Sequence, residues 1–198
     1  MTTPPLISDA VHLCVDMQRM FAEPTEWTMP WSEKVLPQVT ALVECQPVKT
    51  IFTRFIPADR PGQGQGMWKH YYHRWPAMTV QNLGVEMLEL VPALARFVPP
   101  ASVIDKHVYS PWLETDLHQR LQRREVKTLI ISGGETDVCV LATILGAVDM
   151  GYKVVLAQDA LCSSSDDAHN CAVELYYRRF SMQVEPMETK IILENWSR

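Results

Sequence analysis

Six short runs of apolar, often β-branched residues recur along the chain, at 10–15, 48–54, 101–105, 127–132, 153–157 and, more weakly, 182–185. Near-continuous apolar character over so few positions marks strands covered on both faces, as in a parallel sheet. Between several of these runs the apolar positions change to helical spacing, over 32–44, 113–124, 137–150 and 166–180. Ser32 and Asp166 stand where a helix-capping side chain accepts from an otherwise unpaired first-turn amide. Strand–helix–strand alternation predicts an α/β fold in three layers, an open parallel six-stranded sheet with helices on both faces. No internal repeat, low-complexity tract or linker interrupts it, so residues 1–198 read as a single domain.

One stretch breaks the alternation. Residues 56–83 hold Pro57, Pro61 and Pro76, the glycines 62, 64 and 66, and the rings of Trp68, Tyr71, Tyr72 and Trp75. So long a connection is usually functional or disordered. Its aromatic content favours an ordered loop packed over something: a wall of an active site or subunit interface, with a structural flap as the alternative.

In an open parallel sheet, ligands bind beyond the carboxyl ends of the strands. The first strand is followed by Asp16-Met17-Gln18, the third by Lys106-His107, and the fourth by Gly133-Gly134-Glu135-Thr136-Asp137-Val138-Cys139. An acid, an ammonium and a thiol therefore converge at one edge of the sheet. Cys139 falls in the first turn of a predicted helix, where free amides and the helix dipole stabilise a thiolate. A nearby Lys106 would lower the thiol pKa further. Asp16 would accept the thiol proton and later deliver it to a leaving group. Backbone N–H groups of Glu135 and Cys139 are the candidate oxyanion donors. Each residue alone has a plainer use: a cysteine as a small buried hydrophobe, an aspartate as a loop cap, a lysine as a solvated charge. Cys14, Cys45, Cys162 and Cys171 keep the plainer reading. The three placed together point to acyl transfer through a thioester. The stretch Val138 to Val148 carries no charge, which predicts burial on most sides, including a subunit interface.

Composition narrows the function classes. The 198 residues carry a formal charge of −5, with Lys and Arg scattered, which argues against a nucleic-acid or anionic-membrane surface. The start of the chain lacks the basic and apolar regions of a signal peptide, and no run approaches a membrane span. Five cysteines without framework spacing suit reduced thiols in the cytoplasm.

Three ordered motifs carry a family resemblance: Leu13-Cys14-Val15-Asp16-Met17-Gln18, Lys106-His107-Val108-Tyr109-Ser110-Pro111-Trp112 and Ser132-Gly133-Gly134-Glu135-Thr136-Asp137-Val138-Cys139-Val140, with Gln158-Asp159-Ala160 and His169 downstream. Over nearly its whole length the chain resembles the isochorismatase-like cysteine hydrolases, which include nicotinamidases, N-carbamoylsarcosine amidases and isochorismatases. The resemblance implies an Asp16–Lys106–Cys139 triad, sheet order 3-2-1-4-5-6, a cis peptide between Gly134 and Glu135, and a homodimer or homotetramer. Family nicotinamidases carry an Asp-x-His metal pattern after the second strand; here the place reads Thr53-Arg54-Phe55, so no metal and no other cofactor is expected. His70 and His73 read as surface or loop histidines. Arg54 suits recognition of a substrate carboxylate, with an ion pair to a loop acid as its other use. Position alone nominates Gln18, Phe21, Arg54, Trp68, Tyr109 and Trp112 for the substrate pocket, fitting a small planar or carboxylated amide. His107, next to Lys106 on a strand end, points to the opposite face.

The leading expectation is hydrolysis of a small linear amide or carbamoyl C–N bond. Vinyl-ether hydrolysis of the isochorismate type is the alternative; it needs an acid but no thiol, so Cys139 favours the amide. A non-catalytic small-molecule-binding module predicts loss of a triad member, and none is missing. A nucleotide-binding domain is disfavoured because Gly62-Gln63-Gly64-Gln65-Gly66 does not sit in a tight strand-to-helix turn.

Overall fold

The computed structural model describes residues 7–196. The leader-segment reading and both ends of the expected 1–198 domain lie partly outside the described residues. Six strands, β1 (Ala10–Val15), β2 (Thr50–Phe55), β3 (Ser102–Lys106), β4 (Thr128–Gly134), β5 (Lys153–Cys162) and β6 (Val184–Met187), form one sheet. Every pairing is parallel and the order is β3-β2-β1-β4-β5-β6, as expected. Among the described residues the α-helices are α1 (Arg19–Ala22), α2 (Ser32–Cys45), α3 (Met67–Arg74), α4 (Val80–Leu83), α5 (Pro92–Ala95), α6 (Leu117–Arg123), α7 (Cys139–Asp149), α8 (Asp166–Arg179) and α9 (Thr189–Asn195).

The apolar runs are continuous because each strand feeds two cores. From β1, Val11, Leu13 and Val15 pack with Leu121, Val140, Ile144 and Tyr176 of α6, α7 and α8. Ala10 and Cys14 face the other way, toward Val39 and Leu42 of α2 and Ile192 of α9. The period of two carries the same division into β4 and β5: Leu129, Ile131, Val154 and Leu156 on one face, Ile130, Val155 and Ala157 on the other. No helix among the described residues is long and apolar enough to cross a membrane.

Local details differ from expectation for physical reasons. Residues 47–49 form a 3-10 turn, with Val48 65% exposed, so β2 starts two residues later than its apolar pattern. Strand β5 runs on to Cys162 through a register irregularity against β4, which carries Gln158-Asp159-Ala160 inside the strand. Ser32 and Asp166 are the first residues of their helices and not the caps; at α8 it is Ser165 whose side chain accepts from Ala168 N–H. The stretch 56–83 is not a plain loop, because it folds α3 and α4 within it. Helix α9 lacked a local start signal: its first amide, Thr189 N–H, donates to Asp159 in β5 at 2.8 Å.

One polar residue sits in the middle of the central strand. His12 is fully buried, shares a 2.8 Å hydrogen bond with Ser132 Oγ, and lies edge-on to Trp196 at 6.3 Å. Burial disfavours its charged form and lowers its pKa from 6.5 to about 3. A depressed pKa stabilises the fold above the unfolded-state value and loses that contribution as pH falls. Unfolding free energy should therefore decline from pH 6.5 toward pH 3, with His12 supplying a slope of up to about 1.4 kcal/mol per pH unit. His12→Gln should flatten that slope in urea titrations across this range; an unchanged slope would assign the acid sensitivity elsewhere.

Candidate active site

Register brings the strand ends level. Val15 is the β1 partner of both Thr53 in β2 and Gly133 in β4, and Phe55 in β2 pairs with Lys106 in β3. Asp16 leaves β1 with φ 49°, a left-handed conformation that aspartate tolerates better than most residues. Gly133 has φ 103°, and a Cβ there would lie 2.1 Å from the Val15 carbonyl oxygen, so glycine is required for β1 and β4 to approach here. The Gly134–Glu135 peptide is cis, as the resemblance implied.

Asp16, Lys106 and Cys139 meet in this corner. Lys106 Nζ donates to Asp16 Oδ2 at 2.7 Å, to the Val108 carbonyl at 3.3 Å, and contacts Cys139 Sγ at 3.5 Å. The lysine is 0% exposed, the aspartate 1% and the cysteine 5%. Thr53 Oγ1 donates to Asp16 Oδ1 at 2.6 Å, so both carboxylate oxygens are engaged. Burial works against the Lys106 charge, but Asp16 and Cys139 outweigh it and hold the ammonium above its ordinary pKa. The thiol behaves differently from the sequence expectation of a stabilised thiolate. Burial first, then the charge of Asp16, push Cys139 well up against the opposing pull of Lys106. Burial and Asp16 together thus favour the thiol over the thiolate at this position.

Cys139 is the first residue of α7 and opens onto a cavity of about 90 Å³. Phe21, Trp27, Phe55, Tyr71, Tyr109, Glu135 and Val138 line it with the thiol. Helix α3, from the stretch expected to form a wall, contributes Tyr71. The loop between β4 and α7 is braced from behind. Tyr176 OH donates to the Thr136 carbonyl at 2.7 Å, His169 Nδ1 shares a 2.8 Å hydrogen bond with Thr136 Oγ1, and Ser163 Oγ donates to Asp137. Val138 and Val140 N–H both donate to the Glu135 carbonyl, at 3.1 and 2.9 Å, on either side of Cys139.

Of the six residues nominated for the pocket, Phe21 and Tyr109 line it. Trp68 packs on Tyr109 at 4.9 Å and lines a neighbouring cleft with Tyr72, His107 and Glu114. Gln18 is instead a buried clamp: its amide nitrogen donates to the Phe55 and Leu88 carbonyls at 3.0 and 2.7 Å, and its oxygen accepts from Phe55 N–H at 2.7 Å. Trp112 is buried behind α7, stacked on Tyr152 and donating to the Thr143 carbonyl at 2.9 Å. Arg54 alternates away from Thr53 and Phe55 and is held by Asp105 and Glu89 at 2.8 and 2.7 Å, the second of its two expected uses. His107 is exposed and sits 3.3 Å from Glu114. Sequence reasoning missed Trp27, Phe55 and Tyr71 as lining residues and Thr53 as the partner of Asp16. Period-two alternation gave a signal for Thr53 and Phe55, which share a strand face; nothing local marked Trp27.

A cation does not fit at Thr53-Arg54-Phe55, since the threonine hydroxyl is committed to Asp16 and the arginine is itself a cation. Among the described residues, no group of three or more His, Cys, Asp or Glu is placed to hold a metal ion.

Comparison with known proteins places these features in context. A cysteine hydrolase from Pseudomonas syringae pv. phaseolicola superposes with TM-score 0.80 at 24% identity, covering 98% of each chain. An N-carbamoylsarcosine amidase from Thermoplasma acidophilum gives TM-score 0.73 at 18% identity, covering 91% of this chain and 96% of its own. An Arabidopsis thaliana protein titled "Probable inactive nicotinamidase" is 26% identical over 165 residues, 81% of this chain and 84% of that protein. Two Bacillus subtilis isochorismatase family proteins match at 30% and 31% identity, and the chain spans about half their length, 47% and 51%. Residues 10–188 match the isochorismatase domain family model, and the chain belongs to the isochorismatase family.

Proposed function

We propose that this chain is a metal-independent cysteine hydrolase that cleaves a small linear amide or carbamoyl C–N bond through a thioester. The observation that carries the reading is the meeting of Asp16, Lys106 and Cys139, with contacts of 2.7 and 3.5 Å, at the wall of an aromatic cavity. Catalysis begins with the thiol protonated. As Sγ attacks the substrate carbonyl carbon, its proton passes to the Asp16 carboxylate. The negative charge that forms on the carbonyl oxygen is taken up by the backbone N–H groups of Glu135 and Cys139. Asp16 then hands its proton to the leaving nitrogen, the C–N bond breaks, and the acyl group remains on sulfur. Water, deprotonated by Asp16, attacks the thioester carbon; collapse breaks the C–S bond and the sulfur regains the proton.

Lys106 and Thr53 act through Asp16. The ammonium pairs with the carboxylate inside an apolar corner, and the threonine hydroxyl fixes its orientation. The amidase neighbour supports C–N chemistry over the vinyl-ether reaction, since a thiol at the cavity wall has no task in protonating an enol ether. Fold alone does not confer activity, and one relative bears the name "Probable inactive nicotinamidase", so the reading rests on side-chain geometry. The same reading places the enzyme in the cytoplasm as a homodimer or homotetramer. The five free cysteines and the partly exposed Leu145 and Met150 near the end of α7 are consistent with it.

Ammonia release from a panel of small amides, ureas and carbamoyl compounds tests the proposal. Activity should survive exhaustive chelation and fall by roughly 10³-fold or more in Cys139→Ala; retention in that variant would remove the assigned nucleophile. Thr53→Val should lower kcat by roughly 10- to 100-fold with little change in KM, as expected for loss of one hydrogen bond to a charged group. An unchanged kcat would show that Thr53 does not position Asp16.

A further inference from the structure

We infer that the Cys139 cavity selects a cationic substrate, a small amide or carbamoyl compound carrying an alkylammonium or quaternary ammonium group, and that Glu135 together with the surrounding rings is what recognises the charge. The inference rests on the reading of this cavity as the substrate site, and it specifies the substrate class that the reading leaves open.

Glu135 is the only charged side chain among the described residues lining the cavity. One carboxylate oxygen accepts a 3.3 Å hydrogen bond from Ser164 N–H, while among the described residues no basic side chain lines the cavity against it. The two cations at the neighbouring strand ends are already used: Lys106 by Asp16 at 2.7 Å, Arg54 by Asp105 and Glu89. The charge expected from Arg54 is therefore replaced at the cavity by one of opposite sign. Burial raises the Glu135 pKa, the penalty of a carboxylate held away from water. A bound cation offsets that penalty; a substrate carboxylate adds to it.

The rings suit the same ligand. Trp27 stacks with Phe21 at 6.2 Å and lies 5.7 Å from Tyr71 and 6.0 Å from Phe55, which in turn stacks with Tyr109 at 6.3 Å. Aromatic faces around a small cavity attract a cation through their quadrupoles, most strongly for weakly hydrated alkylated ammonium groups. Phe55 already shows this affinity on one side, where Lys106 Nζ lies 5.2 Å from its centroid. A cavity of about 90 Å³ keeps the cationic group within a few bonds of the carbonyl carbon at Cys139.

Equilibrium binding separates this inference from the hydrolase reading, because it needs no turnover. Choline and its neutral isostere 3,3-dimethylbutan-1-ol would be titrated into the wild-type protein, Glu135→Gln and Cys139→Ala, following tryptophan fluorescence and calorimetry. Wild type and Cys139→Ala should bind choline at least ~10-fold tighter than the alcohol. Glu135→Gln should reduce the preference to within about 3-fold, with an unaltered circular dichroism spectrum. Should that variant misfold, Tyr71→Leu should weaken choline by roughly 3-fold or more and spare the alcohol. Equal or tighter binding of the alcohol by wild type, no binding of choline, or a preference that persists in Glu135→Gln would overturn the inference. A choline preference in a protein that hydrolyses no amide would leave the recognition intact and remove the hydrolase reading; amide hydrolysis without that preference would do the reverse.

Discussion

The buried ion pair between Lys106 and Asp16 is the interaction on which the rest of the site depends. Two unit charges are held 2.7 Å apart with essentially no exposure. Removing such charges from water is expensive unless every polar direction is satisfied. Here the satisfaction comes from four parts of the chain. Thr53 of β2 and Lys106 of β3 take the two carboxylate oxygens, the Val108 carbonyl takes a second lysine proton, and Cys139 stands over the ammonium. The order β3-β2-β1-β4 is thus more than packing, because it puts those four parts within one corner. Burial and Asp16 favour the thiol over the thiolate at Cys139 despite the adjacent ammonium.

The charge pattern around the corner divides into two regions with different roles. On the outer side, the Arg54 charge is taken up by Asp105 and Glu89 near the sheet edge. On the inner side, the Asp16–Lys106 pair is closed upon itself, and the cavity beyond it is aromatic with Glu135 as its charged member. In the proposed mechanism, chemistry and recognition fall to separate carboxylates, Asp16 for the proton and Glu135 for the ligand. Tyr176 and His169 of α8, with Ser163 ahead of that helix, brace the loop that carries both Glu135 and Cys139.

Much of this was legible in the sequence where periodicity or a strand end carried the information. The six apolar runs gave the strands because both sheet faces are covered, and the position of Asp16, Lys106 and Cys139 after strands predicted their convergence. The sheet order and the cis peptide came through resemblance and not through the residues alone. What the chain did not disclose depends on contacts distant in sequence. Gln18 looked like a polar pocket residue, yet it satisfies backbone groups of Phe55 and Leu88. Trp112 follows a motif lysine but packs behind α7. Trp27 entered the cavity from a segment with no pattern of its own, and α9 took its cap from Asp159 in another strand. The thiol pKa went opposite to expectation because burial and Asp16 outweigh Lys106, a balance that no linear spacing encodes.

In the proposed mechanism an acyl group rests on Cys139 during turnover. The most direct test is rapid-quench mass spectrometry with p-nitrophenyl acetate, which supplies an acyl group without knowledge of the natural amide. A burst of nitrophenol is expected together with a hydroxylamine-labile acetyl group on the peptide containing Cys139, both absent from Cys139→Ala. No burst, or a burst whose acetyl group lies on another residue and persists in that variant, would contradict it.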